Sequence, residues 1–141
     1  MGRHAGPWAV LWSDAVDSTL GARVRFRLVD GDAFKVEIAS EPPGEARCEA
    51  VLTWQASFLD AGAGYERGAD PPIARGFWNE VLLLRAGGKA RLYVNGRLLV
   101  ESASPGQSAE TGESGESGRA RIGLGVENGL VEVQSVSNLA R

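Results

Sequence analysis

An antiparallel β-sandwich is the fold class this sequence predicts, and three observations carry it. Apolar residues recur with a period of two in one segment after another, turn signals fall between those segments at short intervals, and no stretch keeps helical amphipathic spacing for more than about two turns. A chain of 141 residues built this way packs two sheets face to face or closes into a barrel, and the sandwich is favoured.

The bulk composition agrees with a folded chain. Hydrophobic residues make up 43% and charged residues 23%, an ordinary globular balance. Residues 1–141 read as a single domain, large enough to bury a core without staples. The formal net charge of -3 supplies no basic field, so nucleic acid is not an expected partner. No run of 18 apolar residues occurs, and membrane insertion by a helix is not expected. Asp14 and two tryptophans interrupt the opening "MGRHAGPWAVLWSDAV" before a signal-peptide core is complete. The expectation is a cytoplasmic protein or a domain excised from a longer chain. The single cysteine, Cys48, makes no intrachain disulfide and reads as a buried apolar thiol.

The first pair of strands lies in "LGARVRFRLVDGDAFKVEIAS". Ala22, Val24, Phe26 and Leu28 alternate with Arg23, Arg25 and Arg27, and Phe34, Val36 and Ile38 alternate with Lys35 and Glu37. A hairpin over "DGD" with a three-residue loop sets Leu28 opposite Phe34, Phe26 opposite Val36 and Arg25 opposite Glu37, with Gly31 or a neighbour at positive φ. "ASFLDAGAGYERGADPPIARGF" then reads as a long loop over a sheet edge, rich in glycine and carrying a Pro-Pro pair.

"WNEVLLLRAGGKARLYVNGRLLVESA", residues 78 to 103, fits three strands. Turns at Gly87-Gly88 and Asn95-Gly96 set Leu83 opposite Leu92, Val81 opposite Val94 and Leu92 opposite Leu99. Leu82, Leu84, Tyr93, Leu98 and Val100 make the second face apolar too, so these strands are expected to be central and covered on both sides. Residues 105–118, "PGQSAETGESGESG", read as a flexible, solvated acidic loop. The chain closes with a hairpin turned at Asn128 and Gly129, Val126 opposite Val131 and Leu124 opposite Val133. Gly123 and Gly125 occupy its other face, and the phase of Val136 calls for a bulge near Ser135.

Trp78-Asn79 before a strand, the "YVNG" tip at Tyr93 to Gly96, the Gly118 to Leu124 strand and the valines Val131 and Val133 together resemble the concanavalin A-like lectin/glucanase superfamily. The resemblance is nearest to its 3-keto-disaccharide hydrolase-like domain, formerly a domain of unknown function. It covers about half the chain. It implies a jelly-roll sandwich, and its motifs are mostly structural.

Glucanases of that fold cluster acids on one strand because retaining hydrolysis needs two carboxyl groups about 5 Å apart. No such cluster stands in this sequence. The one histidine, His4, lies near the terminus, so a serine or cysteine nucleophile lacks its usual base and histidine metal sites are not expected. No cofactor is expected, with calcium at Asp60, Glu66 and Asp70 the single candidate.

Binding is the better use of the residues present. Arg23, Arg25 and Arg27 point one way at intervals of about 6.8 Å. They form either a contact strip for an anionic ligand or a solvated face partnered by acids such as Glu37 and Glu49. Among the aromatics that could stack on sugars, Trp12, Trp54, Tyr65 and Trp78, the last reads as core, while Trp54 and Tyr65 flank the long loop. The expected function is a non-catalytic recognition or accessory module with carbohydrate as first ligand. The alternatives are a glycoside-cleaving enzyme of the resembling branch and a protein-interaction domain of a larger assembly.

Overall fold

The computed structural model describes residues 9–13, 16–17, 19–40, 47–62, 64–86, 88–103 and 119–140. His4, Gly87 and the acidic segment 105–118 lie outside the described residues. The strands are β1 (Ala9–Trp12), β2 (Val16–Asp17), β3 (Thr19–Asp30), β4 (Ala33–Ser40), β5 (Arg47–Thr53) and β6 (Ser57–Asp60). They continue with β7 (Tyr65–Arg67), β8 (Asn79–Ala86), β9 (Lys89–Val94), β10 (Arg97–Ala103), β11 (Arg119–Glu127) and β12 (Leu130–Ala140). A seven-stranded sheet runs β1-β11-β4-β5-β6-β7, with β2 also on β11, and a five-stranded sheet runs β10-β9-β8-β3-β12. The two pack face to face as the expected antiparallel β-sandwich, and no described residue is helical.

The alternation in β3 and β4 decides the core. Val24, Phe26 and Leu28 from one strand and Phe34, Val36 and Ile38 from the other are at most 1% exposed. The two strands are nevertheless not a hairpin. β3 pairs with β8 and β12, and β4 pairs with β5 and β11. "DGD" therefore carries the chain from one sheet to the other, with Gly31 at φ 123°. Phe26 and Phe34 meet across the core instead of along a ladder, their rings stacked with centroids 4.3 Å apart. Arg25 and Glu37 consequently lie on opposite outer faces of the sandwich.

The last hairpin is corrected for the same reason. β11 lies in the seven-stranded sheet and β12 in the five-stranded one, so Asn128 and Gly129 form a second crossing. The two crossings clasp each other. The Asp32 amide donates to the Glu127 carbonyl at 2.9 Å, and Asn128 Nδ2 donates to Asp32 Oδ2 at 2.9 Å. A Cβ on Gly129 would lie 2.0 Å from the Asp30 carbonyl oxygen, which is why glycine stands there. The expected irregularity in β12 is present as a register shift between Val133 and Ser135.

The meander β8-β9-β10 has the expected pairs Val81 with Val94 and Leu83 with Leu92. Asn95 and Gly96 take φ of 51° and 85°, as a type I′ turn requires. A shift between Leu98 and Val100 puts Val100, not Leu99, opposite Leu92. Leu99 still points inward at 6% exposure. β10 is an edge strand, and Leu98 is 47% exposed. The meander is thus covered on its inner face, while its outer row of Leu82, Tyr93 and Leu98 continues the line of Arg23.

Two polar side chains tie this meander to the loop before it. Asn95 Nδ2 donates to Pro72 O (2.9 Å) and Asn79 Oδ1 (3.1 Å), while Asn95 Oδ1 accepts from the Glu80 amide (2.8 Å). Asn79, buried, donates to the Phe77 carbonyl at 2.9 Å. The Trp-Asn and Val-Asn-Gly motifs are therefore two halves of one hydrogen-bonded lock. The long loop is shorter than expected because β6 and β7 form within it and extend the seven-stranded sheet.

Candidate functional site

The outer face of the seven-stranded sheet is where polar groups converge. Alternation turns Phe34, Val36, Ala50 and Leu59 into the core, which leaves Lys35, Glu37, Glu49, Val51, Phe58 and Asp60 outward. Register then builds two rows. Glu37, Glu49, Asp60 and Tyr65 face one another in turn across β4, β5, β6 and β7, and Lys35, Val51, Phe58 and Arg67 form the adjacent row. Gly123 and Gly125 of β11 lie opposite Glu37 and Lys35, where they leave the face without side chains.

Within these rows the contacts are specific. Lys35 Nζ pairs with Glu49 Oε2 at 3.0 Å, and the Tyr65 hydroxyl donates to Glu49 Oε1 at 2.7 Å. Asp60 Oδ1 accepts from the amides of Gly62 (2.8 Å) and Gly64 (3.1 Å), fixing the β6-β7 turn. Phe58 meets the Tyr65 ring edge-on at 6.5 Å, and the Arg67 guanidinium sits 5.8 Å from the Phe58 ring centre. Glu49, Asp60, Gly62 and Tyr65 line a pocket of about 250 Å³. Glu49 is 5% exposed at its floor and Tyr65 55% exposed at its rim. A ring held by its own hydroxyl beside carboxylate acceptors can stack on a flat ligand face and take hydrogen bonds from ligand hydroxyls.

The other candidate residues fall elsewhere. Trp54 sits at the end of the sandwich where the crossings clasp, roughly 17 Å along β5 from Glu49 by strand rise. Its Nε1 donates to Gly31 O at 2.9 Å, and the Arg75 guanidinium lies 4.4 Å from its ring centre. Arg23, Arg25 and Arg27 line the outer face of the other sheet. Arg23 pairs with Glu80 at 3.6 Å and Arg27 with Glu132, so their acids come from β8 and β12 and not from Glu37 or Glu49. Trp78, expected in the core, instead lies on that outer face beneath Arg25 and Arg27, at 5.9 and 4.7 Å. Trp12 lies in β1, and its side chain is outside the description.

Glu66 is paired with Leu59 and so points away from Asp60 and Tyr65. Among the described residues, no three His, Cys, Asp or Glu side chains stand close enough to hold a metal ion. Cys48 is fully buried on the inner face of β5, and burial pushes its thiol up to about 12, opposed by the charge of Arg85. This is the opposite of an activated nucleophile. Arg85 faces it from β8 at 7% exposure, its Nε and Nη1 without a hydrogen-bond partner among the described residues. Glu49 and Lys35 were not legible as site residues. The signal was the alternation in "RCEAVLT" and "SFLD", but their meeting depends on the β5-β6 register.

No protein-family model matches the sequence, and no curated protein matches it. Solved structures do match its shape. The carbohydrate binding module CBM66 from Bacillus subtilis superposes with a TM-score of 0.65 at 16% identity, covering 96% of this chain and 92% of its own. CG-16, a homodimeric agglutinin from chicken liver, gives 0.65 at 12% identity, covering 92% and 99%. Lactose- and MES-liganded congerin II gives 0.63 at 10% identity, covering 94% and 99%. The chain therefore has the jelly-roll β-sandwich fold that these proteins share.

Proposed function

We propose that the protein is a non-catalytic carbohydrate-recognition module, and that its site is the Tyr65 pocket on the outer face of the seven-stranded sheet. The observation that carries this reading is the half-exposed Tyr65 ring, oriented by its bond to Glu49 at the rim of a pocket floored by carboxylates. Sugars offer an apolar face for such a ring and hydroxyl donors for such acceptors. Three proteins of the same fold, a carbohydrate binding module, an agglutinin and lactose-liganded congerin II, support the choice of ligand class. Trp54 then belongs to the framework, and the arginine strip to a face already occupied by Trp78, Glu80 and Glu132.

A second reading has one observation in its favour. Glu49 and Asp60 are cross-strand partners on one face, at the short separation of antiparallel neighbours, about 5 Å between Cα atoms. Two acids so placed can bring their carboxyl groups to the short spacing that retaining glycosidases need, which would suit a glycoside-cleaving enzyme of the 3-keto-disaccharide hydrolase-like branch. Against it, Glu49 is already held by Lys35 and Tyr65.

The test is a broad glycan array with Tyr65→Ala, Trp54→Ala and a triple Arg23, Arg25, Arg27→Ala variant. Selective binding is expected, weakened roughly tenfold by Tyr65→Ala and kept by the triple variant. Cleavage of a bound glycan, lost in Glu49→Gln, would favour the enzyme. If no glycan binds, the carbohydrate reading fails. A protein captured through the arginine face would then support an interaction domain.

A further inference from the structure

We infer that the Tyr65 pocket selects an amino sugar carrying a free ammonium group over neutral and acidic sugars, with Asp60 as the residue that sets the preference. The inference rests on the carbohydrate-recognition reading of the same pocket.

The polar inventory of the pocket is one-sided. Glu49 has one oxygen on the Tyr65 hydroxyl and the other on Lys35, so its charge is neutralised where it is buried. Asp60 differs. Its Oδ1 is used by the two glycine amides, while its Oδ2 takes no hydrogen bond from the described residues and no described cation pairs with it. Arg67, the cation on the same face of β7, lies over the Phe58 ring. The amide of Gly62, which also lines the pocket, is spent on Asp60, and the Tyr65 hydroxyl proton on Glu49.

What remains on offer among the described residues is one carboxylate oxygen without a partner, beside a flat aromatic ring. A ligand that answers this surface has hydrogen-bond donors, a positive charge and an apolar face. An unacetylated hexosamine has all three. Its N-acetylated form loses the charge, and a uronic acid brings a second negative charge next to Asp60, which is unfavourable.

The test is calorimetric titration, below neutral pH where the ligand amine is protonated, with oligosaccharides of one length. Glucosamine, N-acetylglucosamine and uronic acid oligomers are compared at low and high salt, with an oligolysine of matched charge as control. The glucosamine oligomer is expected to bind about tenfold tighter than the acetylated one at low salt, with the ratio shrinking as salt screens the pair. Asp60→Asn keeps an Oδ1 acceptor for the two glycine amides and should bring the ratio close to one. If this variant does not melt as a folded protein, the salt dependence of the wild-type ratio decides.

Equal or tighter binding of the acetylated oligomer overturns the preference and leaves the carbohydrate reading standing. So does an unchanged ratio in folded Asp60→Asn. Oligolysine binding that equals the amino sugar and ignores Tyr65→Ala would show charge alone at work and overturn the inference. If no oligosaccharide of any charge binds, the carbohydrate reading itself fails.

Discussion

Replacing Arg85 with methionine should make the protein more stable. The guanidinium lies between the sheets at 7% exposure, with Nε and Nη1 buried and unpartnered. Burial pulls its pKa down, partly offset by Cys48, yet a guanidinium does not shed its proton near neutral pH. Each buried donor left unpaired costs about 1–3 kcal/mol, and methionine keeps an unbranched stem of similar volume that packs in the same place. The net gain is on the order of 2–4 kcal/mol, in line with buried ionic groups replaced by apolar ones. With a urea m-value of about 2 kcal/mol/M for a domain of this size, the midpoint should rise by roughly 1–2 M. Equilibrium urea unfolding followed by tryptophan fluorescence measures it. A midpoint that falls would refute the reasoning, because it would mean that the charge is satisfied in solution.

Three further outcomes are expected. Asn95→Gly keeps the positive φ but deletes the bonds to Pro72, Asn79 and Glu80. It should cost about 2 kcal/mol, and Asn95→Ala more, since alanine at φ 51° adds strain; urea midpoints of the pair separate the two effects. Gly129→Ala should abolish folding or cost several kcal/mol, since the new methyl would sit 2.0 Å from Asp30 O; a near-wild-type melting temperature would show that the crossings are not in contact. Cys48 is raised in the folded state from 9.0 to about 12. The unfolded chain therefore loses its thiol proton first, and stability should fall as pH rises from about 9 to 12, by at most about 1.4 kcal/mol per unit. Cys48→Ala should flatten that slope, read from urea unfolding across the range.

The sequence made the strands and their inward faces legible because alternation is local. Phe26 and Phe34 were identifiable as core residues, and the Asn95-Gly96 turn fixed the β8-β9 register by the φ it demands. What local chemistry could not distinguish was a hairpin from a crossing between sheets. "DGD" and "ENG" suit either, and the choice is made by β12 pairing with β3 and β11 with β4, contacts about a hundred residues apart in the chain. The same limit hid the site. Tyr65 was visible as an aromatic beside a loop, but Glu49 and Asp60 join it only through the ladders of β5, β6 and β7. Trp78 went the other way. Its size suggested burial, while Asn79, one residue on, took the inward position and left the indole outside beneath two arginines.

The most direct measurement is protein-observed NMR during titration with the tightest glycan from the array. Shift changes centred on Glu49, Asp60, Gly62 and Tyr65 are predicted, with roughly tenfold more glycan needed to reach them in Tyr65→Ala. Changes centred on Arg23, Arg25 and Arg27 across the sandwich, or around Trp54 at its end, would contradict the assignment of the site.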